Sequence, residues 1–167
     1  MLCRNATPAD AAGIYAIHAA AFGGDAEVKL VRMLEADGDV LVSLVAGIEG
    51  ARVGHALFSR MMVSADGNPV AAAGLAPVGV LPSYQGLGIG SALIREGLAQ
   101  LRALDIRLCF VLGHPDYYPR FGFRVETAAP YTSPYAGPHF MALALDSALP
   151  LPERGRADYA PAFARLS

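Results

Sequence analysis

Gln85-Gly86-Leu87-Gly88-Ile89-Gly90-Ser91 is a glycine-rich turn. It joins an apolar strand-like run, Val70 to Val80, to a helical pattern from about Ile89 to Leu104. Alternate glycines let the backbone enter conformations closed to other residues and clear side chains from its path. Such a turn leaves backbone N–H groups unpaired at a helix start. Those donors and the positive end of the helix dipole favour anions, phosphates above all. Beyond the helix, Arg107 to Leu112 returns as a buried strand. Strand, turn, helix and strand therefore predict one parallel, right-handed βαβ unit.

Upstream, Leu2 to Ala6 reads as a first strand. Thr7 is a helix cap, Pro8 takes the first helical position and Asp10 completes a capping box. This helix ends near Gly23-Gly24. A second starts near Ala26, with Val28, Val31 and Leu34 as its apolar stripe. Leu41–Ala46 and Val53–Val63, joined by a turn at residues 48–52, predict an antiparallel hairpin. Asp66-Gly67-Asn68-Pro69 is a further turn. Pro77 marks a bulge or a break in pairing within the strand that feeds the glycine turn. In the helix after it, Ile89, Leu93, Leu101 and Leu104 share a face. Downstream, Pro115–Arg120 reads as a short helical turn and Gly122–Val125 as a strand start. Residues 129–138 read as an ordered loop and Phe140–Leu145 as the last strand. The tail from Leu149 reads as irregular. The whole chain, 1–167, is expected to be one domain with its core in residues 2–145.

The 167 residues are 54% hydrophobic and 17% charged, which excludes a disordered chain. A net charge of −2 without a basic block argues against nucleic acid as a partner. Cys3 and Cys109 form no CxxC or Cys/His cluster, so no metal site is expected. They read as buried thiols in a reducing cytoplasm. The uncharged stretch from Gly67 to Ile94 is interrupted by Pro69, Pro77, Pro82 and the glycines, so no membrane span is expected.

Two phosphate-binding motifs fail on this turn. A P-loop needs a lysine that meets the terminal phosphates, and none is here. A Rossmann turn needs GxGxxG and an acidic residue ending the next strand. Here the glycines fall at 86, 88 and 90, and the next strand ends in Leu112-Gly113-His114. Instead, Gln85 to Gly90 resembles the Q/RxxGxG/A pyrophosphate loop of the GNAT (GCN5-related) N-acetyltransferases. Tyr117-Tyr118-Pro119-Arg120-Phe121-Gly122-Phe123 resembles that family's Tyr-x-x-x-Gly-Phe element. The resemblance covers about residues 2–145. Val111 to Pro115 and the later aromatic loop look most like the subgroup named after YhbS.

The resemblance implies an α/β fold with a splayed, mostly antiparallel mixed sheet, one parallel βαβ unit and flanking helices. It implies acetyl-CoA as cosubstrate. The backbone of Val78, Gly79 and Val80 is expected to pair with the pantetheine arm. The N–H groups of Gln85, Gly86, Leu87, Gly88, Ile89, Gly90 and Ser91 are expected to hold the pyrophosphate. The acetyl group passes by direct attack to a primary amine on a small molecule or peptide. The resemblance carries the oxyanion role to the Val80 region and the thiolate-protonating role to Tyr118. A phenol of reference pKa near ~10 stays protonated at neutral pH. Asp25, Glu27 and His55 are candidates for the base, a water chain being the alternative. Tyr117 reads as a packing residue, His114 as a surface or capping residue, and His18 and His139 as structural. Tyr131, Tyr135 and His139 line either an acceptor pocket or a sheet edge. The protein is expected to act as a monomer or homodimer. The rival reading is a non-catalytic acyl-CoA sensor on the same scaffold.

Overall fold

The computed structural model describes residues 1–166. In chain order its elements are β1 (Leu2–Asn5), α1 (Ala11–Phe22), α2 (Ala26–Asp37), β2 (Val40–Ile48), β3 (Ala51–Ala65), β4 (Asn68–Val80), α3 (Ile89–Ala103), β5 (Leu108–Leu112), α4 (Val125–Ala128), β6 (Tyr131–Thr132), β7 (Phe140–Ala144) and β8 (Gly155–Asp158). The main sheet runs β1-β2-β3-β4-β5-β7. Two tight turns set its first hairpins. Glu49-Gly50 and Asp66-Gly67 take positive φ (51° and 81°, 49° and 83°), the paired left-handed turn that matches strand twist.

β4 and β5 are parallel, as the βαβ reading requires, and pair from Ala72 with Leu108 to Leu75 with Val111. Beyond Leu75, β4 runs on to Val80 against β3 alone. The two strands fork there. The expected irregularity at Pro77 lies in the same place. Ala56 faces Val78 while Phe58 faces Leu75, so β4 carries one extra residue at Ala76-Pro77.

α3 covers one face of the sheet with Ile89, Leu93, Ile94, Leu98 and Leu101. α1 and α2 cover the other with Ile14, Leu30, Val31 and Leu34. Phe58, Phe110, Phe123 and Phe140 are fully buried. Burial of such a side chain stabilises the fold by roughly 1.5–3 kcal/mol.

Four readings are corrected. Leu104 lies past the last turn of α3 and is 53% exposed, so the apolar face ends at Leu101. The α2 stripe is Leu30, Val31 and Leu34, with Val28 at its margin. Residues 122–125 form no strand: Gly122 ends a 3₁₀ turn, Arg124 makes one bridge to Ala142, and α4 follows at once. The tail is structured, and Phe140–Ala144 is not the last strand. β8 pairs antiparallel with β3 through Met62–Ala65 and parallel with β6, and a 3₁₀ turn follows at Pro161–Leu166. Only two residues of β6 join β8, too short a run for a periodicity to show.

Among the described residues no helix is long and apolar enough to cross a membrane. Nor does any group of three or more His, Cys, Asp and Glu stand where it could hold a metal ion. Cys3 and Cys109 are both free.

Candidate active site

The glycine turn opens α3 in the left-handed conformation. Gly86 and Gly88 have φ of 79° and 82°, and Gly88 is the residue that caps the helix. A Cβ at either would be strained. The N–H groups from Gly86 to Ser91 make no hydrogen bond within the described chain, while Gly88 accepts the first helical bond from Ala92. A row of free donors therefore points out of a helix start. It borders a cavity of about 300 Å³, with Val80, Gln85, Gly86, Gly88, Ile89, Gly90 and Ser91 on its wall. Leu87 is not on that wall and is 67% exposed.

Three further residues complete the cavity: Tyr84, Tyr117 and Arg120. Tyr117 is thus more than packing. Its hydroxyl lies 3.0 Å from Ser91 Oγ. The Arg120 guanidinium stacks on its ring, 4.3 Å from the centroid, and Arg120 Nε donates to Tyr117 O at 2.8 Å. Arg120 places a positive charge beside the free N–H row. Its position in the aromatic element was readable; its approach to the glycine turn depends on how that element folds back.

β4 leads from this cavity to the fork. Leu81 N–H donates to Val53 O at 2.8 Å, and the register continues through Val80 with Gly54 and Gly79 with His55. Antiparallel pairs alternate between bonded and non-bonded. Gly79 therefore directs its N–H and C=O at β3, whereas Val78 and Val80 direct theirs at the open edge. Gln85 Nε2 donates to Val80 O at 3.0 Å, which ties the edge to the turn.

Tyr118 sits on the β5 side of the fork. Its ring lies on Gly113, where a Cβ would come within 2.3 Å of Cε2. It also meets Phe123 edge-on at 5.9 Å. Its hydroxyl makes no hydrogen bond within the described chain. Burial, with Tyr117 beside it, pushes the phenol up to about 12.

Behind β4, His18 and His55 form a buried chain. His18 Nε2 is 2.8 Å from His55 Nδ1, and His55 Nε2 is 2.8 Å from Ser43 Oγ. His18 Nδ1 has no partner, and a Cβ at Gly79 would stand 2.6 Å from it. Both imidazoles are fully buried, so His55 is not at an open site. Burial lowers His18 to about 4; burial, then the His18 charge, lowers His55 to about 3. Both are neutral in the folded protein at pH 7. Asp25 is exposed and pairs with Lys29 at 3.2 Å, on a different cavity.

The histidine pair predicts acid sensitivity. The unfolded chain protonates both rings below about pH 6.5, and the folded chain resists until much lower pH. Their contribution is whole above pH 6.5 and falls as pH drops toward 4 and then 3. Unfolding free energy by urea should fall by about 1–2 kcal/mol per histidine between pH 7 and 5. A His18→Gln, His55→Gln double variant should flatten that slope. An unchanged slope would show that the pair is not buried neutral.

A helix start with free N–H groups, an open strand edge and a fork in a mixed sheet thus lie along one path. The acetyltransferase (GNAT) domain profile matches residues 3–125. The chain belongs to the GNAT acetyltransferase family. It is 42% identical over 116 residues to the uncharacterized N-acetyltransferase YjhQ of Escherichia coli K12, covering 68% of this chain and 64% of YjhQ, a little under two thirds of that relative's length. It is 39% identical over 126 residues to YhbS of the same strain, covering 75% and 74%. A GNAT family acetyltransferase from Brucella melitensis, solved in complex with acetyl-CoA, superposes with a TM-score of 0.80 at 38% identity over 97% of both chains. The crystal structure of Escherichia coli YhbS in complex with CoA superposes with a TM-score of 0.86 at 31% identity over 99% of this chain and 93% of that one.

Proposed function

We propose that this protein is an N-acetyltransferase that takes the acetyl group of acetyl-CoA and passes it to a primary amine. The observation that carries the reading is one continuous path: free N–H groups at the start of α3, the open edge of β4, then the fork beside Tyr118. Gly86 to Ser91 and Arg120 hold the pyrophosphate at the first point. Val78 and Val80 offer their edge groups to the amides of the pantetheine arm, and Gly79 keeps the strand in contact with His18. From Val80 to Ala76 the strand covers about 13 Å at ~3.3 Å per residue, so an arm laid along it brings its thioester to the fork. There Tyr118 gives its proton to the departing sulfur, and the oxyanion role moves from the Val80 region, which lies at the pyrophosphate end, to the edge N–H of Val78, the first edge donor beside the fork. The attacking nitrogen loses a proton as the amide forms. Returned to Tyr118, that proton restores the phenol, so amine and thioester become amide and thiol with nothing left over.

The test has two parts. CoA should raise the melting temperature, and acetyl-CoA should release free thiol only when an amine is present. Gly88→Val, which forces a β-branched residue into the left-handed region, should weaken CoA binding about tenfold or more, since that conformation alone costs roughly 1–2 kcal/mol. Stabilisation by CoA with no amine-dependent thiol release would favour an acyl-CoA sensor. Faster release from succinyl- or longer acyl-CoA would identify a different acyl donor.

A further inference from the structure

Where β4 and β5 part, a second cavity of about 420 Å³ opens between Leu75 and Ala76 on one strand and Leu112 on the other. Its remaining wall is Tyr135, Tyr159, Phe163 and Leu166. Most of that wall comes from the C-terminal segment. β8 pins the segment to β3, and the Tyr159 ring then lies on Gly74, where a Cβ would come within 2.6 Å of it. Tyr159 meets Phe163 at 4.7 Å and Tyr135 edge-on at 5.3 Å.

No Asp, Glu, Lys, Arg or His lines this cavity. Its polar side-chain groups are two phenols. The Tyr159 hydroxyl is buried without a partner, and the Tyr135 hydroxyl makes no hydrogen bond within the described chain. The cavity begins at the residues that follow the last parallel pair, which is also the end of the path assigned to the donor. Its volume lies within the range usual for small-molecule sites, about 300–1,000 Å³.

We propose, resting on the acetyltransferase reading above, that this cavity holds the acceptor, and that the acceptor is a small primary amine on an otherwise uncharged aromatic or aliphatic body. Aromatic walls reward an apolar ligand by area and by edge-to-face contact. They penalise every charge brought in, because nothing in the wall pairs with it. Polyamines and lysine-rich peptides are therefore poor acceptors. The same desolvation favours the neutral amine, which enters after leaving its ammonium proton with bulk water. This accounts for a site that needs no carboxylate base.

The experiment compares 2-phenylethylamine, spermidine and a lysine-containing peptide by thiol release from acetyl-CoA, with CoA-dependent melting shifts measured alongside. The aromatic amine should have a kcat/KM at least tenfold above the other two. Phe163→Ala and Tyr135→Ala, both at partly exposed positions, should each raise its KM about tenfold and leave the CoA melting shift unchanged. A preference for spermidine or the peptide, or an unchanged KM in both variants, would overturn the acceptor assignment and leave the acetyltransferase reading standing. Absence of thiol release with all three amines, despite stabilisation by CoA, would overturn both.

Discussion

Tyr118→Phe is expected to lower the kcat of acetyl transfer by about 10²- to 10⁴-fold, the usual cost of removing a positioned proton donor. The substitution isolates that role because the hydroxyl does nothing else in the fold. It makes no hydrogen bond within the described chain, so no partner is orphaned. The ring contacts with Gly113 and Phe123 are kept by phenylalanine. Melting temperature and the CoA-dependent shift should stay as they are. Energetics also constrain how the proton moves. A phenol near 12 protonating a thiolate of reference pKa about 8.5 runs uphill by roughly 3.5 units, about 5 kcal/mol, if the phenolate is left standing. The transfer becomes feasible when the attacking nitrogen gives up its proton as sulfur leaves. The kcat–pH profile of the parent should therefore show no falling limb from this group below pH ~10. Tyr117→Phe is the contrast. It breaks the 3.0 Å contact with Ser91 at the phosphate end and should weaken CoA binding a few-fold with little change in kcat. Turnover unchanged in Tyr118→Phe, or loss equal to that in Tyr117→Phe, would remove the proton-donor role.

Local chemistry made the glycine turn and its row of free N–H groups legible in the sequence. A turn with glycines at 86, 88 and 90 has few backbone solutions, and a helix pattern straight after it fixes where the donors point. Pro77 announced the irregularity in β4 for an equally local reason: it has no N–H to give the ladder. What stayed hidden depends on contacts far apart in the chain. Arg120 reaches the glycine turn only because the aromatic 3₁₀ turn folds across the start of α3. His18 and His55 are 37 residues apart and read as unrelated until α1 lies against β4. The tail looked irregular because the strand that orders it, β8, is four residues long and draws its hydrogen bonds from the far end of β3. The missing base has a similar explanation. A search for a carboxylate presumes a charged site, whereas Tyr159 and Phe163 bring an uncharged wall to the fork.

Asp10→Ala is expected to cost about 3 kcal/mol of unfolding free energy, read by urea denaturation at pH 7. The capping box predicted from Thr7 and Asp10 is present, with Thr7 N–H donating to Asp10 Oδ2 at 2.8 Å. The larger role of Asp10 is tertiary. Its side chain is 1% exposed and receives Arg4 on both oxygens at 2.7 Å and Arg52 Nε at 2.6 Å. One carboxylate thus ties the start of α1 to β1 and β3. Hydrogen bonds from Arg4 and then Arg52 hold its pKa well below the usual carboxylate range. Removing one member of a buried ion pair costs roughly 3–5 kcal/mol. The lower end applies because Arg4 and Arg52 are 41% and 39% exposed and regain water once unpaired. The sign of the pH effect separates this group from the histidines. A carboxylate with a lowered folded pKa contributes its stability above about pH 3.9, and loses it only as pH falls further. Asp10 therefore adds no slope between pH 7 and 5, where His18 and His55 do. Asp10→Ala should displace the whole stability curve downward in that window with its slope intact. The KM for acetyl-CoA should move little, since neither Asp10 nor Arg52 lines the cavity at the glycine turn. A loss under 1 kcal/mol would mean that the two arginines hold α1 no better than surface pairs do.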